Sequence, residues 1–260
     1  MKFIEEVMLS GETNPFTPEI VQGIMYNHRN YGAEILLDDT LEICAKEPSI
    51  VYMNNAAINV KDACKVLASW DRRQDLKSRG AQIFTEFWKK AQEIKDLYAV
   101  PFDINDPVHT PRGVNKANTI VRKQVMESIG SAVHTLNQAS VVLDAPWEEA
   151  QYVIRNNEKV GIPGGSGSAG MFSNISAPLT SGKGNTPVLS GNSYIQVVTW
   201  DDAGNPDARA ILTYSQSQEP ESPHYADQTR LYSKGQWIQL PFTEAQIQSD
   251  LIKSIRLISE

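Results

Sequence analysis

Apolar residues recur three or four positions apart through most of the first two-thirds of the chain, which is the spacing of a buried helix face. The first run consists of Ile20, Val21, Ile24, Met25, Ile35 and Leu36. It follows Thr17, Pro18 and Glu19, which supply an N-cap, a proline in the first turn and an acid at the positive helix end. We therefore expect a first helix that begins at Thr17 and continues through Leu36.

The same periodicity predicts three further helices and a short fifth one. The second opens at Asn59 and packs through Ala63, Cys64, Val66, Leu67 and Trp70. The third runs from Arg79 to Tyr98 and buries Ile83, Phe84, Phe87, Trp88, Ala91 and Ile94. The fourth contains Ile120, Val121, Val125, Ile129, Val133 and Leu136, and the fifth begins at Asp144 and ends near Asn157. Residues 1–160 are therefore expected to form a mainly helical segment.

The composition changes abruptly at Gly161. Residues 161–191 are rich in glycine and proline, which favours a long irregular surface loop over regular structure. We expect this loop to separate a helical layer from a sheet layer.

Residues 192–260 show strand patterns followed by a final helix. Tyr194–Trp200 and Ala208–Tyr214 alternate as strands do, and the turn residues between them predict a hairpin. Thr243 with Gln246 three residues later predicts a capping box for a short final helix, and Ile255 with Leu257 could then add an edge strand. The sequence thus predicts an α+β fold, with helices in the first two-thirds and antiparallel strands afterwards.

Composition and charge limit the classes of function. Hydrophobic residues at 41% and charged residues at 21% are typical of ordinary folded domains. A formal net charge of -7 without a dense lysine or arginine block argues against a nucleic-acid partner. Apolar stretches such as Val141–Leu143 are far shorter than the ~20 residues that cross a bilayer, so no membrane span is expected. Glu5 and Glu6 interrupt any signal-peptide core, so no signal peptide is predicted in this chain.

Histidine and cysteine spacing gives no metal-site pattern. The four histidines are His28, His109, His134 and His224, and no two lie three or four residues apart, as two ligands on one helix face would. Cys44 and Cys64 have neither a Cys-x-x-Cys spacing nor paired histidines nearby. We predict no metal and no cofactor, and both a disulfide and two buried free thiols are open for the cysteine pair.

A loop serine with a histidine is the remaining nucleophile pattern. Residues 164–170 lack the lysine that follows the glycines of a phosphate loop, and neither Ser166 nor Ser168 has glycines two residues away on both sides. Only His224, with Asp227 three residues later, has the context of a serine-histidine-acid triad. We expect a connecting loop and a structural His224 that is hydrogen-bonded where its segment packs onto the sheet.

Two further groups also have ordinary structural interpretations. The adjacent carboxylate pairs Asp38–Asp39, Glu148–Glu149 and Asp201–Asp202 point in different directions on a helix or strand, so none is expected to form an acid/base pair. The aromatic residues Trp70, Phe84, Phe87 and Trp88 could line an acyl-chain pocket, but their helical spacing favours a packed core.

The order of several motifs resembles a known family. The motifs are Met25–Arg29, Trp70–Asp71, Ser78–Ala81, Pro101–Asp103, Thr110–Gly113, Gly191–Tyr194, Leu212–Ser217, Ser222–Thr229, Tyr232–Ser233, Trp237 and Pro241–Phe242. Together they are similar to the C-terminal part of the β-chain of the penicillin acylase family of N-terminal-nucleophile hydrolases, and most of all to its acyl-homoserine-lactone acylases.

The resemblance implies a part of an enzyme. The fold would be the C-terminal portion of an αββα sandwich, and residues 1–160, 161–191 and 192–260 would belong to one incomplete domain of a larger β-chain. The partners would be the remainder of the β-chain, the α-chain and a small-molecule acyl amide substrate. Family analogy places the enzyme in the periplasm or outside the cell.

The family's catalytic groups are the β-chain's first serine, its α-amine, and oxyanion donors with a nearby arginine, and all of them precede the matched region. The Gly130–Ser131, Gly165–Ser166 and Gly167–Ser168 pairs lack the asparagine and tryptophan that follow the family's serine. The resemblance therefore transfers no catalytic residue, leaves the substrate-binding residues unknown, and implies no metal because the family's calcium site also lies upstream. The chain alone is expected to be inactive.

Two hypotheses from other classes stay open. A truncated paralogue could act as a binding or scaffold module without catalysis. An unrelated, complete hydrolase could use His224 and a loop serine.

Overall fold

The computed structural model describes residue 6 and residues 17–53 and 56–256. Helices and antiparallel sheets alternate along the chain, so the α+β class is confirmed. Among the described residues, the chain divides into two compact units, a larger one that contains residues 25–53 and 56–191 and a smaller one that contains residues 17–24 and 192–256.

Helices form the core of the larger unit. The first helix, α1 (Pro18–Met25), belongs to the smaller unit apart from Met25. The helices of the larger unit before residue 151 are α2 (Tyr31–Lys46), α3 (Lys61–Ser69), α4 (Ala81–Ala91), α5 (Thr119–Gln138) and the single turn α6 (Trp147–Ala150). Helix α4 packs against α5, and α2 packs against both α3 and α5. Fully buried Leu36, Phe84 and Ile129 show that each of α2, α4 and α5 contributes to this core.

Short antiparallel pairs cover the helices. The three hairpins are β1 (Ile50–Met53) with β2 (Ala56–Asn59), β3 (Tyr98–Val100) with β4 (Arg112–Val114), and β5 (Tyr152–Arg155) with β6 (Glu158–Gly161). Beyond them lie a 3-10 turn (Gly167–Ala169) and the two-residue strands β7 (Ile175–Ser176), β8 (Leu179–Thr180), β9 (Gly184–Asn185) and β10 (Ser190–Gly191).

The smaller unit is built on a three-stranded antiparallel sheet. Its strands are β11 (Tyr194–Trp200), β12 (Pro206–Leu212) and β13 (Ile238–Leu240), with β12 in the centre. Helix α7 (Asp227–Ser233) packs against β12, and α8 (Glu244–Asp250) follows β13. The predicted hairpin is confirmed, as is the capping box in which Thr243 and Gln246 exchange side-chain and main-chain hydrogen bonds.

The predicted first helix is two helices. Helix α1 ends at Met25, and α2 begins after Asn30, whose side chain accepts a hydrogen bond from the Ala33 N–H. His28 lies between them with a φ of 44°, which no helix accommodates. The prediction was wrong because the apolar spacing continues across a break that is made by local backbone and capping geometry.

Hairpins replace helix at two other predicted places. The third helix ends at Ala91, and Tyr98 lies in β3 beyond Asp96, which has a φ of 56°. The fifth helix is one turn, and the β5–β6 hairpin follows it. Asn156 and Asn157 both have positive φ in that hairpin's turn, as a two-residue turn of the type I′ class requires. The expectation of a mainly helical first segment is therefore only partly right.

Two predictions for the later part of the chain also need correction. Residues 162–165 are buried, so the glycine- and proline-rich segment is not a surface loop throughout. Gly164 has a φ of 90°, and a Cβ there would lie 2.4 Å from the Ser173 carbonyl oxygen, so a glycine is needed for this close approach. Ile255 lies in no strand, and Leu257 lies outside the described residues.

Candidate functional site

The structure places Trp70, which caps the end of α3, and the aromatic residues of α4 in a packed cluster. Phe84 and Phe87 are fully buried, and the Phe84 ring centroid lies 5.2 Å from that of Trp70 and 5.5 Å from that of Phe87. Trp88 stacks on the same ring at 6.3 Å and donates its indole N–H to Ser168 Oγ over 3.0 Å. These distances are typical of aromatic packing. The prediction of a packed core is confirmed.

Cys44 and Cys64 are joined by a disulfide that links α2 to α3, with a Cα–Cα distance of 6.2 Å. Both residues are partly buried against the hydrophobic core of the larger unit. Of the two alternatives that the sequence leaves open, the structure has the disulfide.

The glycine-rich loop holds its serines in structural hydrogen bonds. Ser166 accepts from the Ser168 N–H, and their hydroxyls are 2.9 Å apart. Gly167 N–H donates to Asn174 Oδ1 over 2.9 Å. Within the part of the chain that the structure describes, no histidine or carboxylate is hydrogen-bonded to Ser166 or Ser168. The loop therefore has the geometry of a connector that is tied to Trp88.

Gly130–Ser131 lies inside α5, where a Cβ on Gly130 would be 2.3 Å from Val51 Cγ2. A peptide bond in the middle of a packed helix is held rigidly. It does not have the strained, exposed backbone on which a reactive serine is presented. Ser131 therefore has a structural role in this helix.

A buried polar cluster joins α2 to the segment before α4. Gln74 is 1% exposed and receives a hydrogen bond from Asn30 Nδ2 at 3.3 Å while it donates one to Thr85 Oγ1 at 3.0 Å. The Gln74 carbonyl accepts from the Gly164 N–H over 2.9 Å. The side chain of Gln74 thus links the start of α2 to α4, and its main-chain carbonyl holds the glycine-rich loop, all within the larger unit.

His28 is the histidine that the sequence gives no reason to select, yet it is 93% buried, with 7% of its surface exposed. Its Nδ1 lies 2.6 Å from Asp75 Oδ1, and its Nε2 is buried without a hydrogen-bond partner among the described residues. Asp75 follows 47 residues later, so no local spacing could have indicated the pair. No described hydroxyl or thiol is hydrogen-bonded to the ring.

His224 and Asp227 form the pair that the sequence selects. His224 Nδ1 lies 2.8 Å from Asp227 Oδ2, and the ring is 60% exposed. Partial burial acts to raise the pKa of Asp227, but hydrogen bonds from His224 and from the Gln228 N–H outweigh it and hold that pKa below its ordinary value. The carboxylate is therefore ionised at neutral pH and fixes the histidine at the start of α7.

The His224–Asp227 pair borders a recess of about 370 Å³ in the smaller unit. The recess is lined by Tyr194, Ala210, Ile211, Leu212, Gln216, Gln228, Ile238 and Leu240 in addition to the pair. Tyr194, Leu212, Ile238 and Leu240 of the sheet give this lining an apolar part. Among the described residues that line it there is no serine or cysteine, and its apolar side chains suit an apolar group.

The adjacent carboxylates point to different partners, as predicted. Asp38 pairs with Arg72, whereas Asp39 pairs with Lys116 and accepts from the Val114 N–H. Glu148 pairs with Lys77. In the described residues, no group of three or more histidine, cysteine or acidic side chains has a geometry for a metal ion.

Comparison with known proteins places this arrangement in a family. The penicillin amidase family model matches residues 1–249. The chain is 36% identical over 236 residues to the aculeacin-A acylase of Actinoplanes utahensis, with 90% of this chain and 29% of the relative covered. It is 34% identical over 243 residues to the acyl-homoserine lactone acylase PvdQ of Pseudomonas syringae pv. syringae (strain B728a), with 93% of this chain and 30% of the relative covered.

The chain thus spans less than a third of the length of these relatives. Helices of the described residues include none that is long and apolar enough to cross a membrane. The similarity runs through both compact units, from the residues before α1 to α8. The chain belongs to the penicillin amidase family.

Proposed function

We propose that this chain is the C-terminal β-chain segment of an acylase that hydrolyses an acyl amide, and that the catalytic serine belongs to another part of the acylase. The parent enzyme would act on an acyl-homoserine lactone or a penicillin-like amide through an acyl-enzyme intermediate. The observation on which this proposal mainly depends is the family match over residues 1–249, in a chain that spans about 30% of its relatives.

The side chains support a role as scaffold. Each serine with a preceding glycine lies in a helix or in a loop that is tied by hydrogen bonds. In the described chain, neither His28 nor His224, each of which pairs with an aspartate, has a hydroxyl or thiol as a hydrogen-bond partner. An acylase needs a preorganised nucleophile with donors for the oxyanion, and we assign both to the remaining polypeptide.

The two compact units would also have separate places in the fold of the parent enzyme. The helical larger unit and the sheet of the smaller unit would be the helical and outer-sheet parts of an αββα sandwich. The partners would be the remainder of the β-chain and the α-chain. The Cys44–Cys64 disulfide favours an oxidising compartment, in agreement with a periplasmic or secreted enzyme.

Hydrolysis assays on the purified 260-residue chain test this proposal. The substrates are N-dodecanoyl-homoserine lactone and penicillin G, assayed from acid to alkaline pH, with His224→Ala and Ser168→Ala as variants. We expect no turnover by any of the three proteins. Turnover that either substitution abolishes would contradict the proposal and favour a complete hydrolase in this chain.

A further inference from the structure

One face of the β11–β12–β13 sheet is mainly apolar, with Gln196 as its polar member in β11, and it is exposed along β11 although Ala210 in the central strand is buried. The register pairs Tyr194 with Leu212, Val198 with Ala208, and Trp200 with Pro206, so these side chains share a face. Ile238 and Leu240 of β13 extend it, since they pair with Ala210 and Ala208. We call this set the outer face. Tyr194 is 52%, Val198 41% and Trp200 65% exposed, whereas Ile195 and Val197 on the opposite face are buried.

The main chain of β11 forms an open edge of this sheet. Thr213 N–H donates to Ser193 O, and Asp201 N–H donates to Asn205 O, so odd-numbered residues exchange hydrogen bonds with β12. Hydrogen-bonded pairs alternate along an antiparallel ladder. The N–H and C=O groups of Gln196, Val198 and Trp200 therefore point away from β12, where no described strand lies.

The β11 edge lacks the features that normally protect an edge strand. Proteins block open edges with charged residues, prolines, bulges or very short strands. Strand β11 has seven residues, Tyr-Ile-Gln-Val-Val-Thr-Trp, without a charge, a proline or a glycine, and its register with β12 has no bulge. The opposite edge, β13, has three residues and is followed by Pro241. The sheet is thus closed to a new strand on one side and open on the other.

The recess beside His224 and Asp227 forms a pocket next to the outer face. Its lining includes Tyr194, Leu212, Ile238 and Leu240, which are members of the outer face. With a volume of about 370 Å³ the recess can hold a large apolar side chain. An open edge, an apolar face and a recess together resemble the surface that binds an added strand in β-augmentation.

We propose that β11 pairs with a strand from the polypeptide that lies outside the aligned region in the acylase relatives, and that this polypeptide covers the outer face. That polypeptide accounts for about 70% of the length of the relatives, since the alignment covers 29–30% of them. The strand would be uncharged, with apolar side chains alternating toward the outer face. This inference rests on the proposed function, because it takes the partner from the same enzyme.

The test uses the full chain and one probe. The probe is the Actinoplanes utahensis aculeacin-A acylase polypeptide without the 236 residues aligned to this chain, co-expressed with it under a different affinity tag. We expect the two polypeptides to copurify in a 1:1 ratio. Residue-resolved amide hydrogen exchange should then show at least about 100-fold slower exchange at Gln196, Val198 and Trp200 in the complex than in the chain alone. The Ile195 and Val197 amides, which already bond to β12, are the internal control.

Two substitutions at one position separate the edge from the face. Val198→Pro removes an N–H that points away from β12 and so leaves the β11–β12 ladder intact, since proline is tolerated on such an edge. Val198→Ala keeps that N–H and loses two methyl groups. We expect Val198→Pro to reduce copurification at least 10-fold and Val198→Ala less than 3-fold. The control is Val142→Ala, which makes the same change at an exposed valine of the larger unit. It should leave copurification unchanged.

Each result supports or contradicts the proposal. Absence of the complex, equal copurification by Val198→Pro and the wild type, or unprotected Val198 in the complex would each overturn it. A homodimer that is joined through β11 and persists beside the probe would also overturn it, because the partner would then be a second copy. A protected complex without acylase activity would instead support this interface and contradict the proposed function.

Discussion

Removal of the Cys44–Cys64 disulfide by the double substitution Cys44→Ala with Cys64→Ala should destabilise the larger unit. The two cysteines are separated by 20 residues. Closing a loop of that length removes about 11 cal/mol/K of entropy from the unfolded chain, which corresponds to about 3 kcal/mol at room temperature. At about 2–4 °C per kcal/mol for a unit of this size, the melting temperature should fall by roughly 6–12 °C.

Thermal and urea unfolding, followed by far-ultraviolet circular dichroism, measure this loss. The double variant should unfold at the lower temperature, and adding dithiothreitol should lower the stability of the wild type by a similar amount. Dithiothreitol should not change the stability of the double variant, which makes it the control. Two titratable thiols in the unfolded, unreduced wild type, or equal stability of variant and wild type, would refute the reasoning.

Three other predictions follow from packing and charge. Phe84→Ala should lower the free energy of unfolding in urea by about 3–5 kcal/mol, because the ring is fully buried. Phe102→Ala, at a 61% exposed site, should lower it by less than about 0.5 kcal/mol. Equal losses would contradict the assignment of a packed aromatic core. In the same urea unfolding assay, Gly130→Ala should destabilise α5 by about 1–3 kcal/mol, because the added Cβ has no room. Gly23→Ala should stabilise α1 by about 0.5–1 kcal/mol, because no atom lies within 4 Å of its added Cβ. Changes of the same sign at both positions would contradict the packing described. The pKa of Asp227 lies below its ordinary value in the folded chain. Its contribution to stability is therefore present above the unfolded pKa of about 3.9 and is lost as the pH falls through the folded pKa. In a plot of unfolding free energy against pH, Asp227→Asn should therefore reduce the loss of stability at acid pH, and an unchanged loss would contradict this.

Long periodic segments could be predicted from the sequence, and breaks within them could not. Helix α5 was identified because its apolar spacing continues for 20 residues between clear ends. The β11–β12 hairpin was identified because strand alternation and turn residues agree. By contrast, the break between α1 and α2 depends on one residue with positive φ at His28 and on the Asn30 cap. Local conformations of this kind leave the hydrophobic period unchanged, so a pattern search does not detect them.

Polar contacts at long sequence separation were also beyond the reach of the sequence. His28 and Asp75 are 47 residues apart, and Asn30 and Gln74 are 44 apart. Only the fold brings them together, and neither pair follows a spacing rule. The His224–Asp227 pair could be identified, because a separation of three residues is within reach of local geometry.

The central proposal is that the reactive serine of the parent acylase lies outside the 260 residues of this chain. Intact-mass spectrometry tests it most directly, on the co-expressed complex of this chain with the remaining aculeacin-A acylase polypeptide, quenched in acid during turnover of an acyl amide. We predict that the polypeptide supplied by the relative gains the mass of one acyl group and that this chain gains none. An acyl adduct on this chain, lost when one of its own serines is replaced by alanine, would contradict the account.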